Sequence, residues 1–197
     1  NLMDFPGHWM QKTPSQKDLD ALIEHYKAGR FKKVEKIAMS LTKAYPNHPF
    51  GWKALAIAFK QNGKISETLS ANNKVIEINP NDPEAYFNLA NTFKILNKSN
   101  QAEINYKKAI KLNPNNSVVY NNLASLFHEN KKYEDAKINY EKAIKLNPKF
   151  FEAFNNLGVT LREQNKLDES IIAYKKAISI NQNYVDAYNN LGIAFKQ

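Results

Sequence analysis

Apolar residues along this chain recur in steps of three and four. Tyr86, Leu89, Ala90 and Phe93 form one stripe, and Ala102, Tyr106, Ala109 and Ile110 form the next. That spacing puts each set on one face of a 3.6-residue helix. Between the two stripes lies a short polar break at 97–100, repeated at 130–132 and 165–166, and Gly29 and Gly63 hold the matching place earlier in the chain. Glycine or asparagine there suits a left-handed helix cap. The second helix ends at Asn79-Pro80, Asn113-Pro114 and Asn147-Pro148, because proline disfavours helical geometry in the residue before it. The pattern predicts pairs of antiparallel helices.

The pairs keep a period. Pro46, Pro80, Pro114 and Pro148 are spaced 34 residues apart, and the next step lands on Gln182. Leu55, Leu89, Leu123, Leu157 and Leu191 keep the same beat, as do Trp52, Tyr86, Tyr120, Phe154 and Tyr188. A repeat of this length marks a solenoid. The register predicts helix pairs over 15–45, 49–79, 83–113, 117–147 and 151–181, with one more helix over 185–197. The repeats run 15–48, 49–82, 83–116, 117–150 and 151–184, and 185–197 is half a repeat. Tyr188, Leu191 and Phe195 then lack a covering helix, which predicts either a longer natural chain or docking of another copy at that end. In the second repeat Asn72 replaces the tyrosine of later repeats (Tyr106, Tyr140, Tyr174), which suggests either a hydrated position or a partner-binding notch.

Segment 1–14 lies outside the repeats. Its apolar residues Leu2, Met3, Phe5, Trp9 and Met10 read as a strand or short helix against the first repeat, as an added leader, or as an intrinsic ligand. In the last case Phe5 and Trp9 are the anchors, since aromatic side chains dominate binding energy.

Composition narrows the class. With 43% hydrophobic and 24% charged residues the chain is ordinary globular material of about one domain. No apolar run approaches the roughly 18–20 residues of a membrane span. Zero cysteines exclude disulfides, thiolate zinc sites and thiol catalysis. The expectation is a soluble protein, placed in the cytoplasm, although an oxidising compartment fits the cysteine count equally.

An aromatic at column 4, Leu at 7, Gly or Ala at 8, an aromatic at 11, a small residue at 20, Tyr at 24, Ala at 27 and Pro at 32 resembles the tetratricopeptide repeat. Tyr120, Leu123, Ala124, Phe127, Ala136, Tyr140, Ala143 and Pro148 show the series in the fourth unit. The resemblance implies an all-α, right-handed α/α superhelix of five helix pairs plus one helix, with a concave groove lined by the first helices. Its expected role is protein–protein interaction, with an extended peptide or partner segment in the groove.

Two columns of that inner face carry candidate chemistry. Asn88, Asn122, Asn156 and Asn190 occupy column 6, and Asn91, Asn121 and Asn155 stand beside them. An amide offers both donor and acceptor, so a row of them matches the polar groups of a peptide backbone. The row is similar to the asparagine ladder of O-linked GlcNAc transferases, which implies grip on a polypeptide main chain. Column 12 reads Tyr26, Lys60, Lys94, His128, Arg162 and Lys196. This basic stripe predicts either solvated charge, with repulsion of only about 0.4 kcal/mol per pair at 10 Å in water, or preference for an acidic ligand. The carboxylate clamp of chaperone-binding tetratricopeptide domains is not matched, because Ile57 and Val118 stand where it needs Asn and Lys.

Other classes find less support. The net charge of +9 invites nucleic acid, but the lysines of the second helices alternate with Glu103, Glu134, Glu141 and Asp168, the pattern of a solvated face. His8, His25, His48 and His128 are scattered, and neither a metal site nor a phosphate loop is written in the sequence. No cofactor or catalytic activity is expected. The stretch from Pro14 to Lys60 resembles the start of bacterial proteins in which such repeats precede a transferase domain. That keeps two alternatives in view, a substrate-recruiting arm of a transferase and a self-assembling scaffold that joins through its C-terminal helix or N-terminal segment.

Overall fold

The computed structural model describes residues 13–197, so the expectations placed on Phe5 and Trp9 fall outside the described residues. Among the described residues eleven helices follow one another and there is no strand. They are α1 (Gln16–Lys27), α2 (Phe31–Ala44), α3 (Pro49–Gln61), α4 (Ile65–Ile78), α5 (Pro83–Ile95), α6 (Ser99–Leu112), α7 (Ser117–Glu129), α8 (Tyr133–Leu146), α9 (Phe151–Glu163), α10 (Leu167–Ile180) and α11 (Val185–Ala194). The expected pairs are all present. The final helix stops three residues short of its expected end at 197.

Both turn types have a local cause. Within each pair the chain passes through a left-handed residue, Gly29, Gly63, Asn97, Lys131 or Asn165. The next amide then reaches back to the fifth carbonyl before it, as from Lys64 to Phe59 at 2.8 Å and from Lys132 to Phe127 at 2.8 Å. This Schellman closure satisfies carbonyls that the helix end leaves open. In the fourth repeat the left-handed residue is Lys131 (φ 58°) rather than the preceding Asn130, a conformation that L side chains adopt at a cost.

Between pairs, asparagine has a larger part than its place before proline suggests. The Oδ1 atoms of Asn79, Asn113 and Asn147 each accept from the amide two residues on, at 3.1–3.3 Å. Asn181 does the same at 3.1 Å although Gln182 has replaced the proline. The Asx turn therefore survives without the proline.

The described chain falls into two compact units, one ending at Ala85 and the other Tyr86–Gln197. In the first unit, Leu22, Val34, Ala38, Leu41, Ala54, Leu55 and Ala58 form a buried core. In the second, the small residues Ala90, Ala102, Ala124 and Ala136 interleave with Tyr106, Leu123, Phe127, Tyr140, Leu157 and Leu161. Alanines at the crossings let helix axes approach while the aromatics fill the space beside them. Helices α7, α8, α9, α10 and α11 pack in sequence, and α9 also approaches both α7 and α11 directly. The first helices of the second unit thus share one face.

Asn72 lies in the first unit and is buried. Its side chain is therefore not presented to a partner through an open notch.

Candidate functional site

Three column-6 amides of the second unit, Asn122, Asn156 and Asn190, are chained through Asn91, Asn121 and Asn155, and no hydrogen bond between described side chains joins Asn88 to them. Asn190 Nδ2 donates to Asn155 Oδ1 (2.9 Å), Asn155 to Asn156 (3.5 Å), Asn156 to Asn121 (3.5 Å), Asn121 to Asn122 (3.4 Å) and Asn122 to Asn91 (3.1 Å). Asn91 Oδ1 also accepts the Tyr106 hydroxyl at 2.6 Å. One continuous hydrogen-bonded row therefore crosses the faces of α5, α7, α9 and α11. Between repeats its donors all point toward the N-terminal side, which fixes each amide plane.

The predicted asparagines have different surroundings. Asn88, Asn122, Asn156 and Asn190 are half-buried, as are Asn91 and Asn121. Asn155 is only 5% exposed. Expected from sequence to assist in holding a ligand, it instead faces inward and orients Asn156 and Asn190. Hydrogen-bond counting then shows what remains. Asn122 and Asn156 each spend one N–H and receive one hydrogen bond, so each keeps one donor and one lone pair. Asn190 spends one N–H, and no hydrogen bond between described residues uses its Oδ1.

The basic stripe is not a run of free cations. Lys94 Nζ donates to Ser125 Oγ at 2.9 Å and pairs with Glu129 Oε1 at 2.8 Å. His128 Nδ1 lies 3.0 Å from Thr160 Oγ1 and its ring packs against Tyr133. Burial holds its pKa below the ordinary histidine value, although Glu163 and Glu129 act in the opposite sense. It is therefore neutral near pH 7. Arg162 makes a loose contact with Glu163 at 3.8 Å. Lys60, on α3 of the first unit, and Lys196 are exposed. The signal for these counter-charges was present in the sequence, where Glu129 and Glu163 stand one position after the basic column.

A second anomaly lies beneath Arg162. Tyr106 finds its acceptor at Asn91, and at Tyr140 burial raises the phenol pKa while the neighbouring Ser125 hydroxyl partly offsets the rise. The equivalent position facing Tyr174 is Val159, and among the described residues the buried Tyr174 hydroxyl has no hydrogen-bond partner. Arg162 Nη1 is likewise buried and unpartnered. Gly158 explains the geometry, since a Cβ built there would stand 2.5 Å from Tyr174 Cε1. Lacking that atom, α9 lets the tyrosine ring sink onto its backbone.

The first unit offers a different surface. Ile23, Tyr26, Phe50 and Ile57 line an apolar hollow of about 240 Å³, with Lys53 and Glu84 at its edge. Lys53 Nζ is held by Asp82 at 2.6 Å and Glu84 at 2.8 Å. Asparagines and charges along the inner columns do not point to this hollow; its signal is the apolar members of the same columns.

Comparison with known proteins bears on the repeat. Family models described as tetratricopeptide or TPR repeats match residues 83–116, 105–138, 139–172 and 158–197. The chain carries tetratricopeptide repeats. No curated protein matches it by sequence. Among solved structures, MamA (41-end) from Desulfovibrio magneticus RS-1 superposes on 86% of this chain and 96% of its own, with TM-score 0.77 and 14% identity. TTC0263, a thermophilic TPR protein of Thermus thermophilus, covers 92% and 99% with TM-score 0.73 and 18% identity. YrrB, described as a TPR protein with an unusual peptide-binding site, covers 89% and 91% with TM-score 0.71 and 12% identity. These likenesses establish the all-α tetratricopeptide solenoid fold. Such folds generally mediate protein–protein contact. Among the described residues no helix is long and apolar enough to cross a membrane.

Proposed function

We propose that the second unit holds an extended polypeptide segment against its first helices. Asn88, Asn122, Asn156 and Asn190 contact the main chain, while Asn91, Asn121 and Asn155 set the orientation of the last three. The supporting observation is the chained row of amides in which Asn122 and Asn156 each retain one donor and one acceptor. A peptide unit presents the complementary pair. Packed helices stand about 8–10 Å apart, and three extended residues span about 10 Å, so each repeat addresses one peptide unit in three. The orienting bonds lower the entropy lost when a ligand arrives.

The charge arrangement argues for a grip with little preference for acidic sequences. Lys94 is paired, His128 is neutral, and Arg162 shares its surroundings with Glu163. A site that reads backbone alone selects extended conformation rather than side chains. The transferase-arm and scaffold readings draw no support from this face.

The test uses unstructured peptides selected from a randomised display library against the full chain. Asn122→Ala should weaken their binding about tenfold, the worth of one or two hydrogen bonds, without lowering thermal stability by more than about 1 kcal/mol. N-methylation of every third backbone amide should weaken binding similarly. A library that yields no binder, or binders indifferent to both changes, removes the proposal.

A further inference from the structure

We propose that the outer faces of α6, α8 and α10 form a ridge for an amphipathic α-helix of a partner protein, with acidic residues along one edge of its apolar stripe and basic residues along the other. The ridge is made by Ile104, Ile138 and Ile172, which are 66%, 56% and 67% exposed. They occupy the same position in three consecutive repeats of the second unit. Single exposed apolar residues are ordinary. A β-branched residue repeated at one outward position is a regular apolar row, and exposed apolar surface of this kind marks contact sites. In the first unit Lys36 and Ser70 hold that position, so the line belongs to the second unit alone.

The charges beside the line define the occupant. Four residues after each isoleucine, on the same helix face, stand Lys108, Lys142 and Lys176, all exposed. Lys108 and Lys142 are braced over the rings of Tyr86 and Tyr120, at 5.6 and 5.9 Å from the ring centres. Three residues before the isoleucines of α8 and α10 stand Asp135 and Glu169, also exposed. The apolar line thus runs between a basic band and an acidic band. A helix is about 10–12 Å across with its side chains, narrow enough to lie along the line and meet each band with opposite charge. The second helices α6, α8 and α10 are not closely packed on one another, so the isoleucines stand apart and a partner helix crossing them meets each through a separate apolar side chain. A flat anionic bilayer would be attracted by the lysines and repelled by the aspartate and glutamate across the line, which disfavours it as the occupant.

The probe is a synthetic three-heptad helix with leucine at one heptad position, glutamate along one edge and lysine along the other, titrated against the full chain. Saturable binding with a dissociation constant below about 1 mM is expected. It should be weakened at least about tenfold in the Ile104→Ser, Ile138→Ser, Ile172→Ser variant, and also for a control helix with lysine on both edges. These isoleucines are exposed, so the variant should melt with the wild type, and a parallel thermal scan verifies this. Asn122→Ala should leave helix binding unchanged, which separates this ridge from the amide row. Four results would overturn the proposal. They are no saturable binding, equal binding by the triple variant, preferential binding to phosphatidylserine vesicles over the helix, and self-association that the triple variant abolishes.

Discussion

Removing one hydroxyl should have opposite effects in two repeats of the second unit. Tyr106 and Tyr174 hold equivalent positions on α6 and α10, and both are fully buried. The Tyr106 hydroxyl donates to Asn91 at 2.6 Å, whereas the Tyr174 hydroxyl has no partner among the described residues. Burial raises both phenol pKa values, and the Asn122 amide partly offsets this at Tyr106. Tyr106→Phe deletes a made hydrogen bond. Because Asn122 still donates to Asn91 Oδ1, that oxygen is not orphaned, so the expected loss is about 1–1.5 kcal/mol. Tyr174→Phe deletes a polar atom whose desolvation is uncompensated, which costs about 1–3 kcal/mol when left unpaired. That variant should be more stable than wild type by about 1 kcal/mol. For a chain of this size, each kcal/mol moves the midpoint by roughly 2–4 °C. Thermal melts should therefore shift in opposite directions. Repeat arrays do not always unfold as one unit, so amide exchange over α9 and α10 provides a local reading. If Tyr174→Phe is as destabilising as Tyr106→Phe, the hydroxyl has an acceptor and the reasoning from Val159 and Gly158 is wrong.

Two further substitutions test the same packing. Gly158→Ala gains about 1 kcal/mol of helix propensity but drives a methyl against the Tyr174 ring, at an expected cost of about 1–3 kcal/mol. Gly192→Ala at the equivalent position of α11 meets nothing within 4 Å and should stabilise by up to about 1 kcal/mol; denaturant midpoints of the two variants compare the effects directly. His128 supplies a pH dependence. Its folded pKa lies below the ordinary value of 6.5, so the unfolded chain takes up the proton first as the solution is acidified. Its contribution is intact above about pH 6.5 and declines as pH falls below it. Chemical denaturation at pH 7 and pH 5 should show a smaller acid-induced loss for His128→Gln than for wild type, and identical losses would refute the assignment.

Much of the architecture is legible in the sequence because its causes are local. The 34-residue beat, the spacing of apolar residues by three and four, and the asparagines after α4, α6, α8 and α10 act through neighbours in the chain. Gln182 illustrates the limit of reading by proline alone, since Asn181 keeps the turn through its own side chain. Lys131 illustrates another, because a left-handed lysine is accepted where the surrounding hairpin over-determines the backbone.

Residue order alone specifies the helices, their pairing and the face on which the asparagines stand, since helical periodicity assigns a face from spacing. Which of those side chains remain available is settled by packing in three dimensions. Asn155 and Asn156 are adjacent and chemically identical, yet one is enclosed and the other is half-open. Lys94 and Arg162 share a column, yet one is held by Ser125 and Glu129 while the other keeps a buried Nη1 with no partner among the described residues. These outcomes rest on contacts between residues 31–35 positions apart. Such contacts depend on how closely one repeat seats against the next, and an alanine, glycine or valine at the crossing sets that distance.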